Sequence, residues 1–268
     1  MPADIVDYSI VGEDLQAIVV TLDPGEAVVA EAGAMMYMQD GIEMGTHLSM
    51  KQDSGGMLGK LFEAGKRALT GDSFFVTFFT NNAGQRRDVA FAAPYPGRVV
   101  PVELGDHGGQ ITCQKNSFLC AARGVQVDIA FTRRLGAGLF GGEGFILQKL
   151  SSPGGRGQAF MHAGGTIVEH TLKAGENLRV DTGCLVAFEN SVSYDIQMVP
   201  GFKNMLFGGE GLFFALMSGP GKVWLQTLPF SRLADRIVSS APRHGGRSRG
   251  EGSVLGGIGR ILDGDNSF

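Results

Sequence analysis

An internal repeat constrains this chain more than any other feature, because one pattern of turns and apolar runs occurs three times. Each copy predicts a strand, a glycine–acid turn, a second strand, a small-residue bend, a third strand and another turn. The copies run from Leu22 to Gly41, from Val102 to Gly124 and from Leu172 to Ser191. Since a repeated module buries its apolar face against its neighbours, the repeat predicts one β-rich unit.

The turns of the repeat explain its glycines and acids. We expect positive φ at the glycine of each first turn, and at Asp40 or Asn190 in the second turns, because these residue types tolerate that region. The first-turn glycines are Gly25, Gly105 and Gly175. The acids beside them are Glu26, Asp106 and Glu176. Because the acids recur with the repeat, a turn-forming role explains all three better than catalysis.

A second signature, glycine and an acid before an apolar strand, follows each copy. It opens at Gly71, Gly142 and Gly209, which lie 30, 18 and 18 residues after the preceding turns. The longer first stretch contains an amphipathic segment, which predicts a short helical insert at 56–70. The last copy has no hairpin after its signature strands, and residues 5–44 supply that missing half.

Joining the two ends into one module gives three modules around a pseudo-threefold axis and removes exposed sheet edges. The predicted fold is all-β, with antiparallel modules at about 71–135, 141–200 and 208–236, the last completed by 1–45. A further short helix is predicted at 230–238. Glycine and arginine then dominate, so 237–268 is predicted to be a flexible tail outside the 1–236 unit.

Composition favours a globular protein. Glycine occurs 42 times in 268 residues, mostly between apolar runs, which indicates tight turns. The net charge of −4 does not favour nucleic acid, whose protein partners are usually basic. We see neither a signal peptide nor an apolar run long enough to span a bilayer, so we expect a cytoplasmic protein. Cys113, Cys120 and Cys184 lack metal-binding spacing and are expected to be reduced and mostly buried.

Motifs that carry chemistry are sparse. Residues 136–141 match the dinucleotide fingerprint GxGxxG, but a strand rather than a helix follows, which favours a hairpin turn. His162 and His170 flank a glycine turn beside Glu169. Without an HxH pattern, we interpret them as exposed strand histidines and not as metal ligands. No GxSxG nucleophile motif occurs, so we expect no enzyme activity, no metal and no cofactor.

The order of the structural motifs resembles one family. The Leu-x-Pro-Gly-Glu run at 22–26, the bend at 33–35, the glycine-lysine-arginine insert before 71–74 and the repeated Gly-Gly-Glu-Gly are similar to the altered inheritance of mitochondria protein 24 family. The resemblance covers roughly residues 1–236. It implies a fold like that of the tryptophan RNA-binding attenuation protein, with β-sandwich modules related to double-stranded β-helices that tend to assemble in rings.

The resemblance further implies a homo-oligomer. Bacterial members of the family have no assigned activity, whereas eukaryotic relatives are tied to the organisation of the mitochondrial inner membrane. These motifs are structural, so they point to no catalytic residue.

The best functional candidate is a surface made by three loops that precede the acid–glycine signatures. Each loop combines an apolar tip with basic residues. The candidate residues are Met57, Leu58, Leu61, Phe62, Lys66, Arg67, Leu139, Phe140, Leu206 and Phe207. Apolar tips rimmed by cations suit a protein partner or an anionic membrane surface. The alternative is that the tips pack inward or against another subunit.

We therefore predict a non-enzymatic oligomeric scaffold or interaction protein. Binding of RNA or of a small ligand stays open as an alternative that rests on fold analogy alone.

Overall fold

The computed structural model describes residues 3–31, 33–48, 75–133, 145–198 and 213–240. Within these ranges the chain forms nineteen β-strands, three short 3-10 segments and one α-helix. The all-β prediction is confirmed. β1 (Asp7–Val11) precedes three sets of six strands.

The strands of each set follow one another along the chain. Set 1 contains β2 (Ala17–Leu22), β3 (Ala27–Glu31), β4 (Met35–Met38), β5 (Ile42–Leu48), β6 (Phe75–Asn81) and β7 (Arg87–Ala92). Set 2 contains β8 (Gly97–Glu103), β9 (Gln110–Gln114), β10 (Phe118–Ala122), β11 (Gln126–Arg133), β12 (Phe145–Ser151) and β13 (Gln158–Gly164). Set 3 contains β14 (Ile167–Leu172), β15 (Asn177–Asp181), β16 (Leu185–Glu189), β17 (Ser193–Met198), β18 (Phe213–Ser218) and β19 (Gly221–Gln226).

One pairing scheme holds in all three sets. The sixth strand pairs with the first and the third, and the fifth strand pairs with the second and the fourth, always antiparallel. Neighbouring sets are joined by the second strand of one and the third strand of the next, which are β3–β10 and β9–β16. The sequence repeat therefore corresponds to a repeated pattern of backbone hydrogen bonds.

These pairs build four sheets. Sheet I has the order β1-β2-β7-β4, sheet II β5-β6-β3-β10-β13-β8, sheet III β11-β12-β9-β16-β19-β14 and sheet IV β15-β18-β17. Apolar residues of sheets I and II form one core, those of II and III a second and those of III and IV a third. Phenylalanines fill these cores, and burying each one stabilises the fold by ~1.5–3 kcal/mol. The fully buried ones are Phe79, Phe91, Phe118, Phe145, Phe160 and Phe188.

The predicted small-residue bends lie next to β-bulges. The register of the third and sixth strands shifts between Met35 and Tyr37 in set 1. Equivalent shifts lie between Phe118 and Cys120 in set 2 and between Leu185 and Ala187 in set 3. A bulge adds one residue to one strand and increases the local twist, and here the third strand pairs with the sixth strand on both sides of it.

The first turn of the repeat forms as predicted in sets 1 and 3. Gly25 and Gly175 have φ of +85° and +80°. In each turn a glutamate closes the loop on itself, since its Oε2 accepts from the backbone N–H three residues earlier, at 2.8 Å for Glu26 and 2.9 Å for Glu176. The turn-forming role of these two acids is confirmed.

Set 2 departs from this pattern, and the prediction for Gly105 is wrong. Its first linker has six residues, against four in the other sets, and the extra length forms a 3-10 segment at Leu104–His107. Positive φ falls instead on Gly108 and Gly109.

The second turns share one hydrogen bond. The N–H of Ile42, Val125 and Val192 donates to the carbonyl three residues earlier, at 3.2, 3.2 and 3.0 Å. Gly41 and Gly124 carry the positive φ. The expectation that Asp40 or Asn190 would adopt it is wrong, because within the described ranges only glycines do.

The end of the chain is not completed by its beginning in the way the sequence suggested. β18 and β19 pair with β14 to β17, and no described pair joins residues 3–45 to 213–226. Each set is instead completed by strands close in sequence, as is usual for antiparallel connections. The pseudo-threefold axis stays a prediction.

One helix, α1, spans Phe230–Ser240 and confirms the helix predicted at 230–238. It extends into the first residues of the predicted tail, whose remainder lies outside the described ranges, as does the predicted helical insert at 56–70. Described residues up to Leu233 belong to one compact unit, and a second unit starts at Ala234 with the end of this helix. No helix among the described residues is long and apolar enough to cross a membrane.

Candidate interaction surface

The three candidate loops have equivalent anchors. Each connects the fourth strand of a set to the fifth, and the two strands of every hairpin are paired up to the residues that bound the loop. The bounding pairs are Leu48 with Phe75, Arg133 with Phe145, and Met198 with Phe213. The backbone therefore enters and leaves all three loops at the same place in the repeated scheme.

The predicted contact residues lie outside the described residues. They are Met57, Leu58, Leu61, Phe62, Lys66, Arg67, Leu139, Phe140, Leu206 and Phe207. The GxGxxG match at 136–141 also lies there. For these side chains the sequence-based expectation stays a prediction.

An apolar strand edge that sequence reasoning missed lies at β4. It is the last strand of sheet I, and no described strand pairs with its outer side. Met36, Tyr37 and Met38 are 57%, 42% and 38% exposed. The corresponding residues of β10 and β16 are all within 2% of complete burial. An edge of this kind offers free backbone N–H and C=O groups together with apolar side chains.

A second open edge lies at β15, the last strand of sheet IV. Among the described strands it pairs with β18 only, whereas its counterparts β3 and β9 have neighbours on both sides. Asn177 and Arg179 are exposed on this strand, and Val180 is buried in the third core. β4 is therefore a third strand that lacks the second-strand neighbour seen at β10 and β16. β15 is a second strand that lacks the third-strand neighbour seen at β3 and β9.

The junction between sets 2 and 3 shows how such edges are fastened when they are paired. His107 lies in the linker of set 2, and its Nδ1 is 2.7 Å from Oε1 of Glu189 in set 3. The other oxygen of Glu189 accepts a hydrogen bond from the backbone N–H of Lys222 at 2.8 Å. The His107 ring packs edge-on against the Trp224 ring, with their centroids 5.2 Å apart. Burial alone would raise the pKa of Glu189, but the bonds from His107 and Lys222 outweigh it and lower the pKa. A carboxylate held in this way is a structural clamp.

The junction between sets 1 and 2 has a different clamp. Arg123 lies 3.1 Å from the carboxylate of Asp4, and the N–H of Asp4 donates to the carbonyl of Arg123 at 2.8 Å. Both internal junctions therefore combine strand pairing with a side-chain contact to a carboxylate near the end of the third strand.

His162 is not the exposed strand histidine that the sequence suggested. It is 1% exposed, and neither ring nitrogen has a hydrogen-bond partner among the described residues. Its ring packs edge-on against Tyr95, with centroids 4.5 Å apart. Burial lowers the pKa of His162 to about 4, so the imidazole is neutral at pH 7. His170 is exposed and lies in sheet III, whereas His162 lies in sheet II.

No cluster of metal-binding side chains is found in the described part of the chain. All three cysteines are free. Burial, with a smaller contribution from Glu31, raises the pKa of Cys113 to about 12, and burial also raises the pKa of Cys120 and Cys184. Thiols with raised pKa values are poor nucleophiles, and the fully buried Cys113 and Cys120 fit packing roles.

The strand scheme and the open edges define a class: an all-β protein built from a repeated six-strand unit. The sequence matches the family described as mitochondrial biogenesis AIM24 over residues 8–228. The chain belongs to that family, and the resemblance noted from its motifs is confirmed.

Two bacterial proteins extend the comparison. An uncharacterized protein of Streptococcus pyogenes serotype M6 is 28% identical over 224 residues, which are 83% of this chain and 86% of that protein. The crystal structure of a Streptococcus pyogenes protein superimposes with a TM-score of 0.67 and 22% identity, covering 88% of this chain and all of that one. At this identity the likeness supports the fold alone.

Proposed function

We propose that this protein is a non-enzymatic, oligomeric scaffold of the cytoplasm, which binds a partner through the three apolar and basic loops. The observation that carries the proposal is the equivalent anchoring of the loops, each of which joins the fourth and fifth strands of a set. Similar loops on similar hairpins present several weak contacts from one molecule. Several linked contacts bind far more tightly than one when they engage together.

The loop sequences favour a surface that is both apolar and anionic. Each contains at least one phenylalanine within a short apolar run. Cations accompany these runs at Lys60, Lys66, Arg67, Arg133, Arg134 and Lys203. Apolar side chains that insert at an interface, with basic residues beside them, are typical of peripheral binding to anionic lipid headgroups. We propose such a surface as the first partner to test.

Vesicle co-sedimentation tests this function. The full chain is expected to sediment with vesicles containing phosphatidylserine and to remain in the supernatant with phosphatidylcholine alone. The variant carrying Phe62→Asp, Phe140→Asp and Phe207→Asp is expected to lose binding. The matched control has leucine at the same three positions, which keeps the loops apolar, and it is expected to retain vesicle binding.

Unchanged partitioning of the aspartate variant would refute the loop surface as the membrane contact. If the wild type binds no vesicles, the same variant pair is used in pull-downs with an isolated partner. A salt-sensitive mobility shift with mixed single-stranded RNA would instead favour the nucleic-acid function.

A further inference from the structure

The two open strand edges are complementary, and the chain itself shows how they pair. We propose that β15 of one copy pairs antiparallel with β4 of a second copy of this chain, in the register Tyr37 with Val180, Met38 with Arg179 and Gln39 with Leu178. This inference rests on the proposed oligomeric scaffold and names its contact surface.

The register follows from the two internal junctions. In the first, Cys120 pairs with Ala30 and Ala121 with Val29. In the second, Ala187 pairs with Cys113 and Phe188 with Thr112. The second-turn hydrogen bonds are accepted by Gln39, Ala122 and Glu189. Tyr37, Cys120 and Ala187 each lie two residues before these acceptors, so they occupy corresponding positions.

The second strands are aligned by their pairing with the fifth. Ala30, Cys113 and Val180 lie opposite Thr77, Gln148 and Ala215. Each of these fifth-strand residues also pairs with a fourth-strand residue, which in every set is the fifth residue after the second turn. The fourth-strand residues are Thr46, Ile129 and Ile196. Val180 therefore occupies the position of Ala30 and Cys113, which places it opposite Tyr37.

Exposure supports the same pairing. Tyr37 and Met38 are 42% and 38% exposed, whereas Cys120 and Ala187, which correspond to Tyr37 and have paired neighbours on both sides, are fully buried. Pairing with β15 would satisfy the outward backbone groups of both strands and cover this apolar edge. The strand with the right backbone, length and register to cover β4 is β15, the second strand of set 3, in another copy of this chain.

Side chains beside the paired residues are also compatible. At the second junction the amide of Gln110 donates to Oδ1 of Asn190 at 2.7 Å. The proposed register places Asn177 opposite Asp40 at the corresponding position. The amide N–H of asparagine and the carboxylate of aspartate are a donor and an acceptor, so this pair reproduces the contact.

The pairing is head-to-tail, because β4 and β15 are different surfaces that lie in separate sheets of one chain. Such a contact either closes into a ring of copies or continues as a filament. The rotation between successive copies is set by the twist of the joined sheet.

Disulfide trapping tests the register. Met38→Cys and Arg179→Cys are made as separate chains in a Cys184→Ala background, which leaves only the two buried native thiols. Residues directly opposite in antiparallel strands have Cα atoms about 4.5–5.5 Å apart, within the range that a disulfide spans. Mild oxidation of a mixture of the two chains is expected to give a covalent dimer. Oxidation of one chain that carries both substitutions is expected to give a ladder of covalent oligomers. Met36→Cys, on the same strand but out of register, is the matched control and gives neither with Arg179→Cys.

A charge test gives an independent readout without cysteines. Met38→Arg places two cations directly opposite each other and is expected to raise the midpoint of dissociation on dilution, measured by light scattering, about fivefold. Adding Arg179→Glu to the same chain converts the repulsion to attraction and is expected to restore the wild-type midpoint.

The outcomes separate this inference from the proposed function. An oligomeric wild type that forms no disulfide and ignores the charge changes refutes the pairing, while vesicle or partner binding by the loops still supports the scaffold. A monomeric wild type whose double-cysteine chain closes on itself shows that the edges meet within one chain, which refutes the pairing between copies. Loss of loop binding with intact trapping refutes the binding function and leaves the assembly in place.

Discussion

The burial of His162 predicts a specific loss of stability in mild acid. The imidazole is 1% exposed and has no partner for either nitrogen among the described residues, so the folded protein strongly favours the neutral form. Burial lowers the pKa from 6.5 to about 4. The unfolded chain keeps the ordinary pKa, and protonation therefore stabilises the unfolded state first.

The sign and the size follow from this difference. The contribution of neutral His162 to stability is complete above pH 6.5, is lost as the pH falls from about 6.5 to about 4, and changes no further below that. A difference of about 2.5 pKa units corresponds to ~3.4 kcal/mol over the whole window. At pH 5 the unfolded state has taken up most of its proton and the folded state little, so the loss is ~2 kcal/mol.

Urea unfolding of His162→Leu and of the wild type at pH 7.5 and pH 5.0 measures this loss. Leucine fills a similar volume without an unsatisfied polar group, so we expect similar stability at pH 7.5 and a pH dependence smaller than wild type by ~2 kcal/mol. His170→Leu, which removes an exposed histidine from the neighbouring sheet, should keep the wild-type pH dependence. If the wild type and His162→Leu lose equal stability between the two pH values, the burial of a neutral His162 is refuted.

Three further predictions concern packing. Gly97→Ala would place a methyl group against the backbone oxygen of Ala163 and the ring of His162, and urea unfolding should show a loss of ~1–3 kcal/mol. Gly84→Ala, where a Cβ meets nothing, should change stability little, and equal effects would contradict the close approach. Gln148 is fully buried, and neither end of its amide has a hydrogen-bond partner among the described residues. Gln148→Leu should therefore match or exceed wild-type stability by up to ~1 kcal/mol, and a loss above that would show that the amide is satisfied. In native protein at pH 8, Cys113 and Cys120 should resist a thiol reagent and only half-buried Cys184 should react, whereas in urea all three react; rapid modification of all three without urea would contradict their burial.

The sequence predicts the local structure of this fold well, because turns are determined by residues close in sequence. Gly25, Glu26, Gly175 and Glu176 form the turns that their order suggests. Gly105 fails because its linker is longer by two residues, and the additional length changes the backbone path. A prediction that aligns motifs by type does not detect such a change.

Partner choice between distant strands was the harder problem. Residues 5–44 have the right pattern to complete the last set, but the same pattern occurs in every set and does not identify its partner. The structure pairs β18 and β19 with β14 to β17. The open edge at β4 was missed for the same reason, since an apolar third strand looks alike whether or not a neighbour covers it.

His162 shows a further limit of periodicity. All seven residues of β13 are buried, because this strand lies inside a sheet with a core on either face. Alternation distinguishes inward from outward positions only where one face meets water. In such a strand a histidine gives no sign in sequence of its burial.

The clamps at the two internal junctions differ, with Asp4 and Arg123 at one and His107 and Glu189 at the other. In an assembly of identical subunits, one codon change alters every contact together, so a compensating pair must suit all of them. Three sets within one chain are free of that constraint. Each contact can then acquire its own chemistry, and one loop can lengthen while its two counterparts stay short, without any change in the strand pattern that all three share.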